Sequence, residues 1–281
     1  MEQMYKYHFS KILPAGSFLI SWLGMLLWSL PVWGQTLKPD LTLLYHVEEA
    51  VSFLAADQLG QVYAVTPDNQ LLKYGVDGEV NYLYQNFRHG DLGWVDASNP
   101  LHILIFYPEF GQVIILDRTL SELTQINLPE LGLWDVAAVG RSGDNQLWLY
   151  DPVQMLIRKV STNGSFLVEG QPLALILTEM PDPEWIREYK QEVYLYDPKL
   201  GVLVFDVFGQ YLKTIPTEGM KNLRIGEKQW TYWKKGELFV YQPSLQSVHA
   251  IRVSLPASSG FIQGNRLILQ TEKGFSVYMV N

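Results

Sequence analysis

From Leu41 to Val280 short apolar runs alternate with polar turn segments, and nowhere does a long 3.6-residue periodicity compete with the strand pattern. Six runs align with one another: Val62–Val65, Ile103–Phe106, Leu147–Tyr150, Val193–Tyr196, Trp230–Trp233 and Leu267–Gln270. Their starts are 41, 44, 46, 37 and 37 residues apart. Each is followed by a turn and a second strand; in the first repeat Thr66-Pro67-Asp68-Asn69 separates Val62–Val65 from Leu71–Tyr74 and predicts a hairpin. Proline and glycine fall in the connections and stay out of the strand centres. A period near 40 residues built only of short strands predicts an all-β chain, a β-propeller with four antiparallel strands per blade.

An outer strand is expected after each hairpin, at Val80–Tyr84, Leu123–Leu128, Ser165–Val168, Tyr211–Ile215 and Val248–Leu255. The sixth repeat has none downstream. The run Leu41–Val47 precedes the first repeat and is expected to pair with Gly274–Val280, closing a six-bladed ring and removing its exposed sheet edges. A five-bladed ring with a loose tail is the competing count. Innermost strands are expected at Phe53–Ala55, Trp94–Asp96, Trp134–Val136, Trp185–Arg187, Leu223–Ile225 and Phe261–Gln263. The stretch 170–184 breaks the rhythm and predicts a short helical turn at Leu173–Leu177 packed over a blade edge.

Asp57-Gln58-Leu59-Gly60-Gln61-Val62-Tyr63 resembles the Asp-x-x-Gly-x-Val-Tyr core of NHL-type six-bladed propeller repeats. The match is close in this repeat, and the rest of the chain follows it as a strand pattern. Leu71 stands where those repeats often carry an arginine. The resemblance implies architecture and transfers no reaction.

Residues 1–34 differ in kind. Lys6, His8 and Lys11 lead into an almost wholly apolar Ile12–Leu30, and Val32-Trp33-Gly34 precedes Gln35 as a signal peptidase site would. This predicts a secretory signal over 1–34 and a single propeller domain over 35–281, secreted or periplasmic and free of the membrane after cleavage. An uncleaved anchor is the alternative. There is no cysteine, hence neither a disulfide nor a lipid-attachment site. The formal charge of −8 comes without a basic cluster and argues against nucleic acid as a partner.

Candidate chemistry is sparse. No nucleophile elbow, zinc-protease helix or phosphate loop is present, and the histidines at 8, 46, 89, 102 and 249 are scattered. No cofactor is expected. Because inner strands line a propeller's axis, Trp94, Asp96, Trp134, Asp135, Trp185, Arg187, Arg224 and Gln263 are expected at the axial mouth as a polar pocket with aromatic walls. In the alternative reading the aromatics wedge between blades and the acids pair with the arginines. Arg88, His89 and Asp91 form a second candidate group on a loop. These features predict an exported, non-catalytic module that binds a protein or small molecule, or acts as a scaffold. The enzymatic alternative is a hydrolase or lactonase whose divalent metal is held by Asp96 and Asp135.

Overall fold

The computed structural model describes residues 40–226, 229–251 and 257–281. The expected signal at 1–34 and the end of the fifth outer strand at 252–255 lie outside the described residues. Strand β1 (Leu41–Val47) comes first. Blade one is β2 (Phe53–Ala56), β3 (Val62–Val65), β4 (Gln70–Tyr74) and β5 (Val80–Gln85). Blade two is β6 (Trp94–Asp96), β7 (Ile103–Tyr107), β8 (Gln112–Leu116) and β9 (Glu122–Asn127). Blade three follows as β10 (Val139–Arg141), β11 (Leu147–Asp151), β12 (Leu156–Val160) and β13 (Phe166–Glu169). Blade four is β14 (Trp185–Tyr189), β15 (Glu192–Asp197), β16 (Gly201–Asp206) and β17 (Tyr211–Ile215). Blade five is β18 (Lys221–Ile225), β19 (Trp230–Lys234), β20 (Glu237–Gln242) and β21 (Ser247–Ile251). Blade six takes β22 (Ser259–Gln263), β23 (Arg266–Thr271) and β24 (Gly274–Val280) from the end of the chain and β1 from its beginning.

All six sheets are four-stranded and antiparallel. The expected closure is present: Leu41 pairs with Val280, Tyr45 with Val277 and Val47 with Phe275, with a register shift between Leu43 and Tyr45. Asn281 N donates to Asp40 O at 3.1 Å, and the His46 Nδ1 to Ser276 Oγ distance is 2.8 Å. The six-bladed count therefore holds against the five-bladed one.

The core lies between blades. Ile103, Ile105 and Tyr107 of β7 pack toward blade one with Tyr63, Val65 and Leu71, whereas Leu104 and Phe106 of the same strand pack toward blade three with Val139, Leu147 and Leu149. Both faces of a middle strand are thus covered, which is why β7, β8 and β11 read as unbroken runs and are buried throughout. Outer strands such as β5 and β13 have one wet face and are largely exposed.

Aspartates set the turns. Asp57 is fully buried: its Oδ1 accepts from Leu59 N at 2.9 Å and Gln61 N at 3.0 Å, and its Oδ2 accepts from Tyr63 Oη at 3.0 Å. Asp151 receives Val153 N and Gln154 N, Asp197 receives Lys199 N and Leu200 N, and Asp206 receives Phe208 N and Gln210 N. A carboxylate that satisfies the backbone two to four residues ahead fixes a tight turn, and this repeated device punctuates the sequence.

One expectation fails. The inner strand of blade three is Val139–Arg141, and Trp134, Asp135 and Val136 belong to the connection that precedes it. The physical reason is close approach at the axis: a Cβ on Gly140 would stand 1.8 Å from Ile186 O of blade four. Only glycine lets the two inner strands come this near, and a tryptophan-led strand cannot occupy that register. The expected helical turn in 170–184 is present as a short 3₁₀ turn, Leu173–Leu175, anchored by the buried Leu173, whose N donates to Met155 O at 2.7 Å.

Candidate functional site

The six inner strands run in the same sense around the axis, so their first residues meet at one face of the ring and their last at the other. The first face also carries the connections between successive blades and the turns between second and third strands. There a cavity of about 380 Å³ is lined by Phe53, Trp94, Trp185, Arg224 and Phe261, with Glu184 and Asn222 among its polar groups. At the opposite end a cavity of about 60 Å³ is lined by Asp96, Ser98, Arg187, Arg224 and Gln263. Trp94, Arg224 and Phe261 line both and form the partition between them.

The partition is an arginine held among rings. The Arg224 guanidinium carbon lies 5.0 Å from the Phe53 ring centre, 5.2 Å from Trp94 and 5.4 Å from Phe261. Phe53 and Trp94 meet edge to face at 5.2 Å. The ring faces, negative at their centres, substitute for water around the cation. Of the five N–H donors, one bonds among the described residues, Nη2 to Leu54 O at 3.3 Å. Burial pushes Arg224 down to about 10; the charge of Arg187 pushes the same way, and Glu184 and Asp96 oppose it. What accessible surface Arg224 keeps faces the two cavities.

Asp96, at the end of β6, is buried and accepts from Ser98 N at 2.9 Å and Arg141 N at 3.2 Å. Desolvation alone would raise its carboxyl; the Arg187 charge and these hydrogen bonds outweigh it and hold the group below its ordinary value. Arg187 donates Nη1 to Ile225 O at 3.0 Å. Among the described residues no ion pair joins Asp96 to either arginine, so the acid–arginine pairing of the alternative reading is absent in its direct form. Glu184 stands exposed at the rim of the wide mouth. The wall behind it raises its carboxyl, with Arg224 pulling the other way.

The structure brings together Trp94, Asp96, Arg187, Arg224 and Gln263 around the axis and sets Trp185 in the wall of the wide cavity, stacked obliquely on Tyr196 at 5.3 Å. It excludes Trp134 and Asp135 from the axis. Trp134 is 58% exposed, and Asp135 is exposed with a left-handed backbone of φ 55°. Asp135 lies six residues before Arg141, the residue that meets Asp96, and therefore on the opposite face, so the paired-carboxylate metal site does not form. Among the described residues no group of three or more histidines and acids is gathered for a metal. Arg88 and Asp91 are exposed and His89 leans on Tyr107 at 5.5 Å; none of the three lines an axial cavity.

Sequence reasoning missed Arg141, whose buried guanidinium bonds His102 O and Asn145 Oδ1. The signal was spacing: the assumed inner strands begin 6 to 9 residues before the next run in five repeats, but 13 before it in the third. Phe53 and Phe261 were placed on inner strands without being recognised as two walls of the cage.

A closed ring of six such sheets defines the class: a six-bladed β-propeller. No family model matches the sequence, and no curated protein matches it. Solved structures do match in fold. The virginiamycin B lyase of Staphylococcus aureus is 13% identical with a TM-score of 0.54, over 82% of this chain and 80% of that one. The Pan2 WD40 domain of Neurospora crassa is 11% identical with a TM-score of 0.58, over 87% of this chain and 97% of that one. A Bacteroides thetaiotaomicron protein of unknown function is 13% identical with a TM-score of 0.59, over 86% and 72%. These likenesses concern the fold, which an enzyme and a repeat domain share.

Proposed function

We propose that the chain is an exported, non-catalytic binding module whose ligand enters the wide axial mouth and presents an anionic group to Arg224. The observation that carries this reading is the state of Arg224, a cation held among three rings, with one hydrogen bond among the described residues, in the lining of a cavity of about 380 Å³. A carboxylate or phosphate there would gain charge-assisted bonds in a low-dielectric wall, and Trp94, Trp185 and Phe261 would cover an apolar body. The metal-hydrolase reading has lost its second carboxylate, because Asp135 stands on a surface loop.

Phenylacetate and indole-3-acetate serve as probes, read by the emission of the mouth tryptophans. Both are expected to bind the parent, and Arg224→Met is expected to weaken them at least tenfold in its folded fraction, as loss of a charge-assisted contact of roughly 1.5–3 kcal/mol requires. Equal binding by parent and variant would overturn the reading. Export rests on residues 1–34: mass determination on protein from the native cell is expected to find Gln35 first, whereas an intact Met1 chain in the membrane fraction would speak for an anchor.

A further inference from the structure

The face that opens the wide cavity carries a rim of exposed apolar side chains. Phe87 is 79% exposed, Phe110 50%, Trp134 58%, Leu175 78% and Met180 62%, each on a connection or turn of blades one to four. Single exposed apolar side chains are ordinary; a run of them on neighbouring segments, interleaved with polar groups, is the kind of surface that marks an interaction site.

Neighbouring segments of the rim lie close together. A Cβ on Gly90, in the loop that carries Phe87, would stand 3.1 Å from the Phe110 ring. Leu128 N donates to Gly111 O at 2.9 Å, tying the Phe110 turn to the connection that carries Trp134. Ala137 of that connection and Pro183 of the 170–184 insertion both line the wide cavity. The insertion is held down by Leu173, and this leaves Leu175 and Met180 outward.

Charge on the same segments is one-sided. Residues 86–93, 108–111, 128–138, 152–155, 170–184 and 198–200 hold seven acidic side chains and two basic ones, all exposed. Glu130, Asp135, Glu179 and Asp182 alternate along these segments with Trp134, Leu175 and Met180.

We propose that this rim is a docking surface for a cationic amphipathic segment of a partner protein, its apolar side chains set against Trp134, Leu175 and Met180 and its lysines or arginines against the intervening acids. Charge selects this occupant. An anionic bilayer would be repelled, and a second copy would bring the same acids face to face. The surface is independent of the Arg224 cavity and stands whether or not that cavity takes an anion.

The test uses the full mature chain and an 18-residue Lys/Leu amphipathic peptide, with a Glu/Leu peptide of the same apolar pattern as comparison. The Lys/Leu peptide is expected to bind, more weakly as salt rises, and the Glu/Leu peptide to bind at least tenfold more weakly. Trp134→Ser with Leu175→Ser should reduce affinity at least tenfold without moving the melting temperature, since both side chains are exposed; Glu179→Lys with Asp182→Lys should reduce it several-fold. Leu59→Ser with Phe208→Ser, exposed on the opposite face, should leave binding unchanged. Failure of the Lys/Leu peptide to bind, equal binding of the two peptides, equal loss in the opposite-face variant, or preferential capture by phosphatidylglycerol vesicles would each overturn the proposal.

Discussion

A chain shortened to begin at Glu48 is expected to aggregate or to melt at least 10 °C below one beginning at Gln35. The loss is larger than the thirteen missing residues suggest, because seven of them form β1, the fourth strand of blade six. Removing it strips the ladder from β24, opens a row of unpaired backbone groups and uncovers Phe275 and Val277, which Tyr45 and Val47 help to bury. Taking that loss as about 5 kcal/mol or more against a typical domain stability of roughly 5–15 kcal/mol, and about 2–4 °C per kcal/mol at this chain length, gives the stated shift. Scanning calorimetry with light scattering reads both outcomes. A shortened chain that melted within 2 °C of the longer one would mean that the ring does not depend on its closing strand.

Gly140→Ala is expected to destabilise the protein by about 3–5 kcal/mol, far beyond the ordinary cost of a methyl group. The added carbon would meet a backbone carbonyl at 1.8 Å, and Ile186 O belongs to the neighbouring inner strand, so no side chain can swing aside to relieve the clash. Either β10 or β14 must shift, and with it Arg141 N, one of the two backbone donors that hold Asp96. Urea titration should show a lower midpoint with an unchanged slope. A midpoint equal to the parent's would refute the close approach on which the corrected register of blade three depends.

The blade count and the ring closure were legible in the sequence because middle strands buried on both faces must be apolar throughout, and because five outer strands for six repeats left one strand owed. The register of blade three was not. Trp134 looks like Trp94 and Trp185 by type, but a bulky aromatic before a repeat does not distinguish a residue wedged at the axis from one displayed on a connection. The deciding residue was Gly140, whose role is the absence of a side chain. The axial arginines were found, but the cage around Arg224 was not, because Phe53, Trp94 and Phe261 lie on three blades and converge only when the ring closes.

Joining β1 to β24 also sets an order of events during synthesis. The two ends of the His46 to Ser276 contact are 230 residues apart, and at about 5–20 residues per second the ribosome needs roughly 10–45 s to supply the second after the first. Blades one to five have all their strands by then and can stack on one another as they emerge. Strand β1 cannot join them. It must stay solvated or be shielded by another protein until the last seven-residue strand is released, so any pause late in translation lengthens the period in which the nascent chain carries an unpartnered edge.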